Sequence, residues 1–247
     1  AGLRDVRMAI RIPKSRKWAA NLAAAKKSPS RIIGDEFKKT FKATLTLSHG
    51  QKSCEYPVKV RLSGDWKDHI SLEGGIPTAS VDVQMESGNV GGIVDFKLLL
   101  PATRGADNEI LITALMRRLG LMAPRAASVQ VDVNGTQIDY LFEENIVKEM
   151  VEFNRRREAP LYEADESMMW QERQENGENR DTDVRYVTAR MSNSTWVGTS
   201  DNRAQIAKVG LDALMSMYGA AWARQGIHTE LIAFGNRSAE LRFDTFA

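Results

Sequence analysis

ASVQVDVNGTQIDYLFEENIVKEMVEFNRRR, residues Ala127–Arg157, holds two alternating runs that meet at Asn134-Gly135 and lead straight into a charged helix. Val129, Val131 and Val133 alternate with Gln130 and Asp132, and Ile138, Tyr140 and Phe142 resume the alternation after the turn. Asn and Gly both adopt the positive φ that the central residues of a type I′ turn require, so this run predicts a β-hairpin. Its second strand ends at Glu143 and Glu144, and Asn145 stands where it can cap the helix that follows. Two carboxylates at a sheet edge are compatible with plain solvation and also with lining a site.

Around this hairpin the composition is that of an ordinary folded chain. With 247 residues, 43% of them hydrophobic and 27% charged, there is material for one large domain or two small ones and a buried core. Lys and Arg exceed Asp and Glu by only two, and the basic residues are scattered, so no field calls for nucleic acid. A single cysteine, Cys54, excludes an internal disulfide, and His49, His69 and His228 have no spacing that reads as a zinc site. No run is long enough to span a membrane as a helix, and the start, AGLRDVRMAIRIPK, lacks the apolar core of a signal peptide. That start alternates like a strand. The far end, LRFDTFA, reads as a helix without a stop signal, so the chain is expected to be part of a longer one.

Taken in order, Lys14–Lys27 predicts a short basic helix ended by Ser28-Pro29-Ser30. Phe41, Ala43, Leu45 and Leu47, answered by Val58, Val60 and Leu62 across a loop with His49 and Gly50, predict a second hairpin. Lys59, Arg61 and Ser63 share its other face, where Arg61 is either a solvated residue or, in a cleft, a bidentate phosphate ligand. Gly64, Asp65, Trp66, Asp68 and His69 read as a turn in which Asp65 caps and Trp66 packs; an acid–base pair of His69 with Asp is the alternative. Thr78–Met85 and the run from Val94 to Leu100 are two further strands joined by the turn SGNVGG, Ser87–Gly92. Lys97 interrupts the second and is expected either to point outward or to meet Glu109 or Glu144. Thr103-Arg104-Gly105 then leads into a helix with the stripe Ile110, Leu111, Ala114, Leu115 and Leu119, capped by Gly120, with Glu109 in the favoured first turn. Glu166–Asp183 is polar and reads as a linker or insertion; Asp201–Gln225 is helical, with Ile206, Val209, Leu211, Leu214, Met215, Tyr218 and Trp222 as its core stripe.

The order VKVRLSGDWKDH (Val58–His69), FKLLLPATRGADNE (Phe96–Glu109), ALMRRLGLMAPR (Ala114–Arg125), the VNG hairpin, the FEEN exit and KEMVEFNRRRE (Lys148–Glu158) resembles the CotH family, the spore-coat-protein-H-like atypical protein kinases. The resemblance covers roughly Arg4–Asp165. It implies an α+β fold: an antiparallel sheet of β-hairpins with packed helices, like the N-lobe of a kinase-like fold, followed by the start of a helical second lobe. The expected divisions are a lobe over 1–165, a linker over 166–184 and an incomplete second lobe over 185–247. It further implies ATP with Mg²⁺ or Mn²⁺ as cofactor, a protein Ser/Thr substrate, and Arg61, Lys97, Arg104, Glu109 and Glu144 lining the nucleotide side. The family's metal-binding and catalytic acidic residues are expected beyond Ala247, so the chain as given is expected not to transfer phosphate by itself. One departure is evident: family members carry basic residues in the strand at Thr78–Met85, whereas Thr78, Asp82 and Gln84 stand here. A pseudokinase or non-catalytic binding module of the cell envelope is therefore the alternative. Compartment, whether cell envelope or cytoplasm, and oligomeric state stay open at this point.

Overall fold

The structure is a computed structural model, and it describes residues 6–30, 32–72, 77–105, 107–165 and 188–222. The chain divides into two compact units, the first running to Asn154 and the second beginning at Arg155.

The first unit is a closed barrel. Its strands are β1 (Arg7–Arg11), β2 (Phe41–His49), β3 (Lys52–Leu62), β6 (Val81–Met85), β7 (Asp95–Leu99), β8 (Ala126–Val133) and β9 (Thr136–Glu144), with β4 (Ile70–Ser71) and β5 (Thr78–Ala79) forming a small separate ribbon. The barrel order is β1-β2-β3-β6-β7-β9-β8. All neighbours are antiparallel except at the seam, where Met8, Ala9 and Ile10 of β1 run parallel to Val131, Asp132 and Val133 of β8. The Asn-Gly turn takes the left-handed backbone expected, with φ of 52° at Asn134 and 90° at Gly135. It also fastens the seam: Asn134 Oδ1 accepts the Ile12 amide at 2.8 Å, and the Asn134 amide donates to Ile10 O at 3.0 Å.

The open, kinase-lobe-like sheet with the beginning of a helical second lobe is thus corrected to a seven-stranded mixed barrel, accompanied by four α-helices among the described residues. The cause is β1, whose edges take both β2 and β8; closure removes the exposed strand edges that an open sheet would have to protect.

Alternation fills the inside. Leu45, Val58, Val60, Leu62, Val83, Phe96, Leu98, Val131 and Phe142 are buried, and Phe96 stacks on Phe142 at 4.6 Å. Helix α1 (Ser15–Lys27) adds Trp18, Leu22 and Ala25 to the same core, with the Trp18 ring edge-on to Phe41 at 5.2 Å. Helix α2 (Asp107–Arg118) lies against β8 on the outside, while the 3₁₀ turn Pro101–Arg104 lies against β9. This cover buries Leu99 and Leu141, which pair across β7 and β9 on the outer face. The apolar stripe of α2 does not become core: Leu111 is 69% and Leu119 66% exposed, and Thr113 is the buried residue of the helix. Asn145 does not cap α3 (Lys148–Phe153), whose N-cap is Val147; its amide is drawn to Asp95 Oδ1 at 2.5 Å instead.

In the second unit, β10 (Tyr162–Asp165) pairs antiparallel with β11 (Thr188–Met191), and helix α4 (Asp201–Trp222) packs on β11. The predicted stripe of α4 is corrected at its first two residues, while Leu211, Leu214 and Met215 are half-buried. Ile206 and Val209 are exposed, and the buried face is made of small residues, Ala207, Gly210 and Ala213, against which Tyr162 sets its hydroxyl, donating to Ala207 O at 2.7 Å. Backbone contact that close leaves no room for the larger side chains. The linker expected at 166–184 and the last helix expected from about Ser238 lie outside the described residues.

Candidate functional site

Strand parity puts a row of charges on the outer face of the barrel. Arg61 of β3 stands opposite Asp82 of β6, Asp82 opposite Lys97 of β7, and Lys97 opposite Glu143 of β9. Neighbouring strands lie about 4.8 Å apart, so alternating charges across four strands form one continuous rung. Phe96 and Leu98 face inward on either side of Lys97, which is why its side chain points outward, as the sequence led us to expect.

At one end of the rung the charges are spent on each other. Arg61 binds Asp82 through Nε at 2.9 Å and Nη2 at 2.8 Å, and Ser63 Oγ adds a donor to Asp82 at 3.1 Å. A cleft of about 270 Å³ opens beside this pair, lined by Lys59, Arg61, Asp82, Gln84, Asp95 and Asn145. Burial pushes the Asp95 carboxyl up, and its hydrogen bond from Asn145 pulls it back.

At the other end the capacity is free. Glu143 is half-buried on β9, the strand that the Pro101–Arg104 turn lies against, and its Oε2 is buried without a hydrogen-bond partner. Burial pushes the carboxyl above its ordinary range; Lys97 and Arg104 oppose this, whereas Glu109 and Asp82 add to it. Arg104, exposed, and Glu109, half-buried, therefore share the electrostatic surroundings of Lys97 and Glu143. His69 belongs to the same neighbourhood. Burial lowers its imidazole, Asp68 and Asp65 work to raise it, and Arg104 and Lys97 lower it further.

Of the residues proposed from sequence, Arg61, Lys97, Arg104 and Glu109 are brought to this outer side. Glu144 is not: it shares the inward parity of Tyr140 and Phe142, is 1% exposed, and forms a fork with Arg125, accepting Nε at 2.8 Å and Nη2 at 2.6 Å. Its neighbour Glu143 takes the outward place. The signal was present in the alternation Tyr140, Phe142, Glu144, which assigns Glu144 to the core side and Glu143 to the other.

Chemically, the rung's free end offers two cations and a partly desolvated carboxylate at the edge of a helix, a set that suits a phosphate group and its hydrogen-bonded surroundings. The set suits a metal less well: among the described residues no group of three or more His, Cys, Asp and Glu side chains could hold an ion. None of the helices among the described residues is long and apolar enough to cross a membrane. No protein-family profile matches the chain, and no curated protein matches it.

Proposed function

We propose that the outer face of β7 and β9, with the Pro101–Arg104 turn, binds the phosphates of ATP, and that the chain is the nucleotide-holding part of a protein that transfers phosphate to protein Ser/Thr as the CotH-like kinases it resembles do. Lys97 and Arg104 contact the phosphates; Glu143 orients Lys97 from the neighbouring strand, and Glu109 tunes the pair from the first turn of α2. The observation that carries this is the Lys97–Glu143 opposition with Oε2 of Glu143 left without a partner. A buried carboxylate oxygen without a donor is costly in a purely structural role. This reading draws on the residues of the rung and needs no kinase-lobe architecture. It involves no metal ligand from the described residues; ATP would bring any divalent ion with it.

A second reading, nucleotide binding without transfer, is favoured by one contact. Asp82 stands where the family carries a cation, and it also engages Arg61, so neither end of that pair is available to phosphate.

Titration calorimetry of the 247-residue chain with ATP and Mg²⁺ or Mn²⁺ tests the first claim. Binding is expected, and Lys97→Met should weaken it at least ~10-fold, the equivalent of about 1.4 kcal/mol, with an unchanged circular dichroism spectrum. Absence of heat, or equal affinity for the variant, rejects it. Label transfer from ATP to a Ser/Thr protein, assayed with a protein that carries this chain extended past Ala247, then separates the two readings.

A further inference from the structure

The turn that follows β3 holds an imidazole in an unusual setting. His69 is 8% exposed, and its Nδ1 is buried with no hydrogen-bond partner. Native proteins rarely strand a buried polar atom in this way, and such atoms gather where a ligand or a reaction makes use of them.

The seat is built for the ring. Gly64 has φ of +90°, and a Cβ there would lie 2.2 Å from His69 Cγ and Cδ2, so the imidazole rests on backbone that only glycine allows. The main chain ties this seat to the charge rung. The His69 amide donates to Trp66 O at 3.2 Å, and His69 O accepts the Ser80 amide at 2.9 Å. Ser80 O in turn accepts the Ser63 amide at 3.0 Å, and Ser63 Oγ donates to Asp82 of the rung at 3.1 Å. The charged groups acting on the ring are Asp65 and Asp68 from its own turn, Arg104 from the 3₁₀ turn and Lys97 from β7; two further cations reach this turn, Lys38 binding Asp65 at 2.6 Å and Lys26 of α1 donating to Lys67 O at 2.8 Å and Ile70 O at 2.7 Å. Without a ligand, burial and two cations oppose a third positive charge, and the two aspartates favour one. An incoming phosphate, carrying at least one full negative charge, tips that balance toward the protonated ring.

We propose that His69 is a positioning residue of the phosphate site, which takes up one proton from solvent when phosphate charge arrives beside Lys97 and Arg104. Phosphate binding and protonation of His69 are then a single coupled event, and acid tightens the complex. This rests on the phosphate-binding reading above.

The experiment follows the imidazole itself by NMR in the 247-residue chain, with the signal of His69 identified by elimination in His49→Gln and His228→Gln variants. Its titration is recorded alone and saturated with a magnesium complex of a non-hydrolysable ATP analogue, whose binding is monitored by calorimetry. The midpoint should rise by about one pH unit on saturation, a tenfold gain in proton affinity. A bound analogue with an unmoved His69 midpoint overturns the coupling and leaves the phosphate site standing. No binding of the analogue at all overturns both.

Discussion

Arg125 joins β9, the β6–β7 turn and α3 through a single guanidinium. Its guanidinium holds the 1%-exposed carboxylate of Glu144 in a fork at 2.6 and 2.8 Å, gives Nη1 to Gly91 O of the β6–β7 turn at 2.7 Å, and lies 3.9 Å from the centre of the Phe153 ring in α3. Arg125→Met keeps much of the volume and removes all three contacts. Leaving a buried carboxylate alone costs about 3–5 kcal/mol, and the lost carbonyl contact adds about 1 kcal/mol. The sum, about 4–6 kcal/mol, is a large share of a total stability of roughly 5–15 kcal/mol, and corresponds to a drop in Tm on the order of 10–20 °C. Urea denaturation followed by circular dichroism measures it. The double variant Arg125→Met, Glu144→Met should regain most of the loss, because an apolar pair in place of a buried ion pair is often neutral or better. Arg125→Lys should fall between, keeping the charge without the fork. If Arg125→Met costs less than about 1 kcal/mol, or if the double variant is no better than the single, the pair is solvated and the reasoning fails.

Glu143 has the opposite character. Its carboxyl is raised by burial above the ordinary 4.5, so the folded state holds the proton more tightly than the unfolded one; stability is present below that value and is lost as pH rises through the folded value. Glu143→Gln should remove this loss, giving a Tm that falls less between acid and neutral pH than that of the parent protein; a parallel pair of Tm–pH curves would argue against the burial of this carboxylate. Glycines supply a further comparison. A methyl group added at Gly50 (φ +59°) would meet nothing within 4 Å, whereas one added at Gly64 (φ +90°) would run into the His69 ring. Gly64→Ala should therefore cost more than Gly50→Ala and should shift the His69 NMR signal. Equal losses would mean that backbone strain alone, and not the fit to the imidazole, is what Gly64 provides.

Most features settled by neighbours in the chain were legible beforehand, the Asn145 cap being an exception. The Asn134-Gly135 turn, the alternation of β2, β3, β8 and β9, the outward Lys97 and the glycine-rich turn before β7 all follow from local backbone preference and a period of two. The separate roles of Glu143 and Glu144 were legible in the same period, since adjacent residues in a strand must face opposite ways.

Closure was not legible. Nothing in the run Met8–Ile10 tells it to pair parallel with Val131–Val133, more than a hundred residues away, because strand partners are chosen by how all the apolar faces can be buried together. The helices show the same division. The stripes on α2 and α4 predicted helices correctly, yet which face is buried was decided by what the barrel and the β10–β11 ribbon offered them, so Leu111 and Leu119 stay in water while Ala207 and Ala213 go inside. The resemblance grouped Arg61, Lys97, Arg104, Glu109 and Glu144 on one side but left His69 to a turn; the folded barrel, by putting strands from distant parts of the chain side by side, replaces Glu144 with Glu143 and brings the charges of Lys97 and Arg104 to bear on His69.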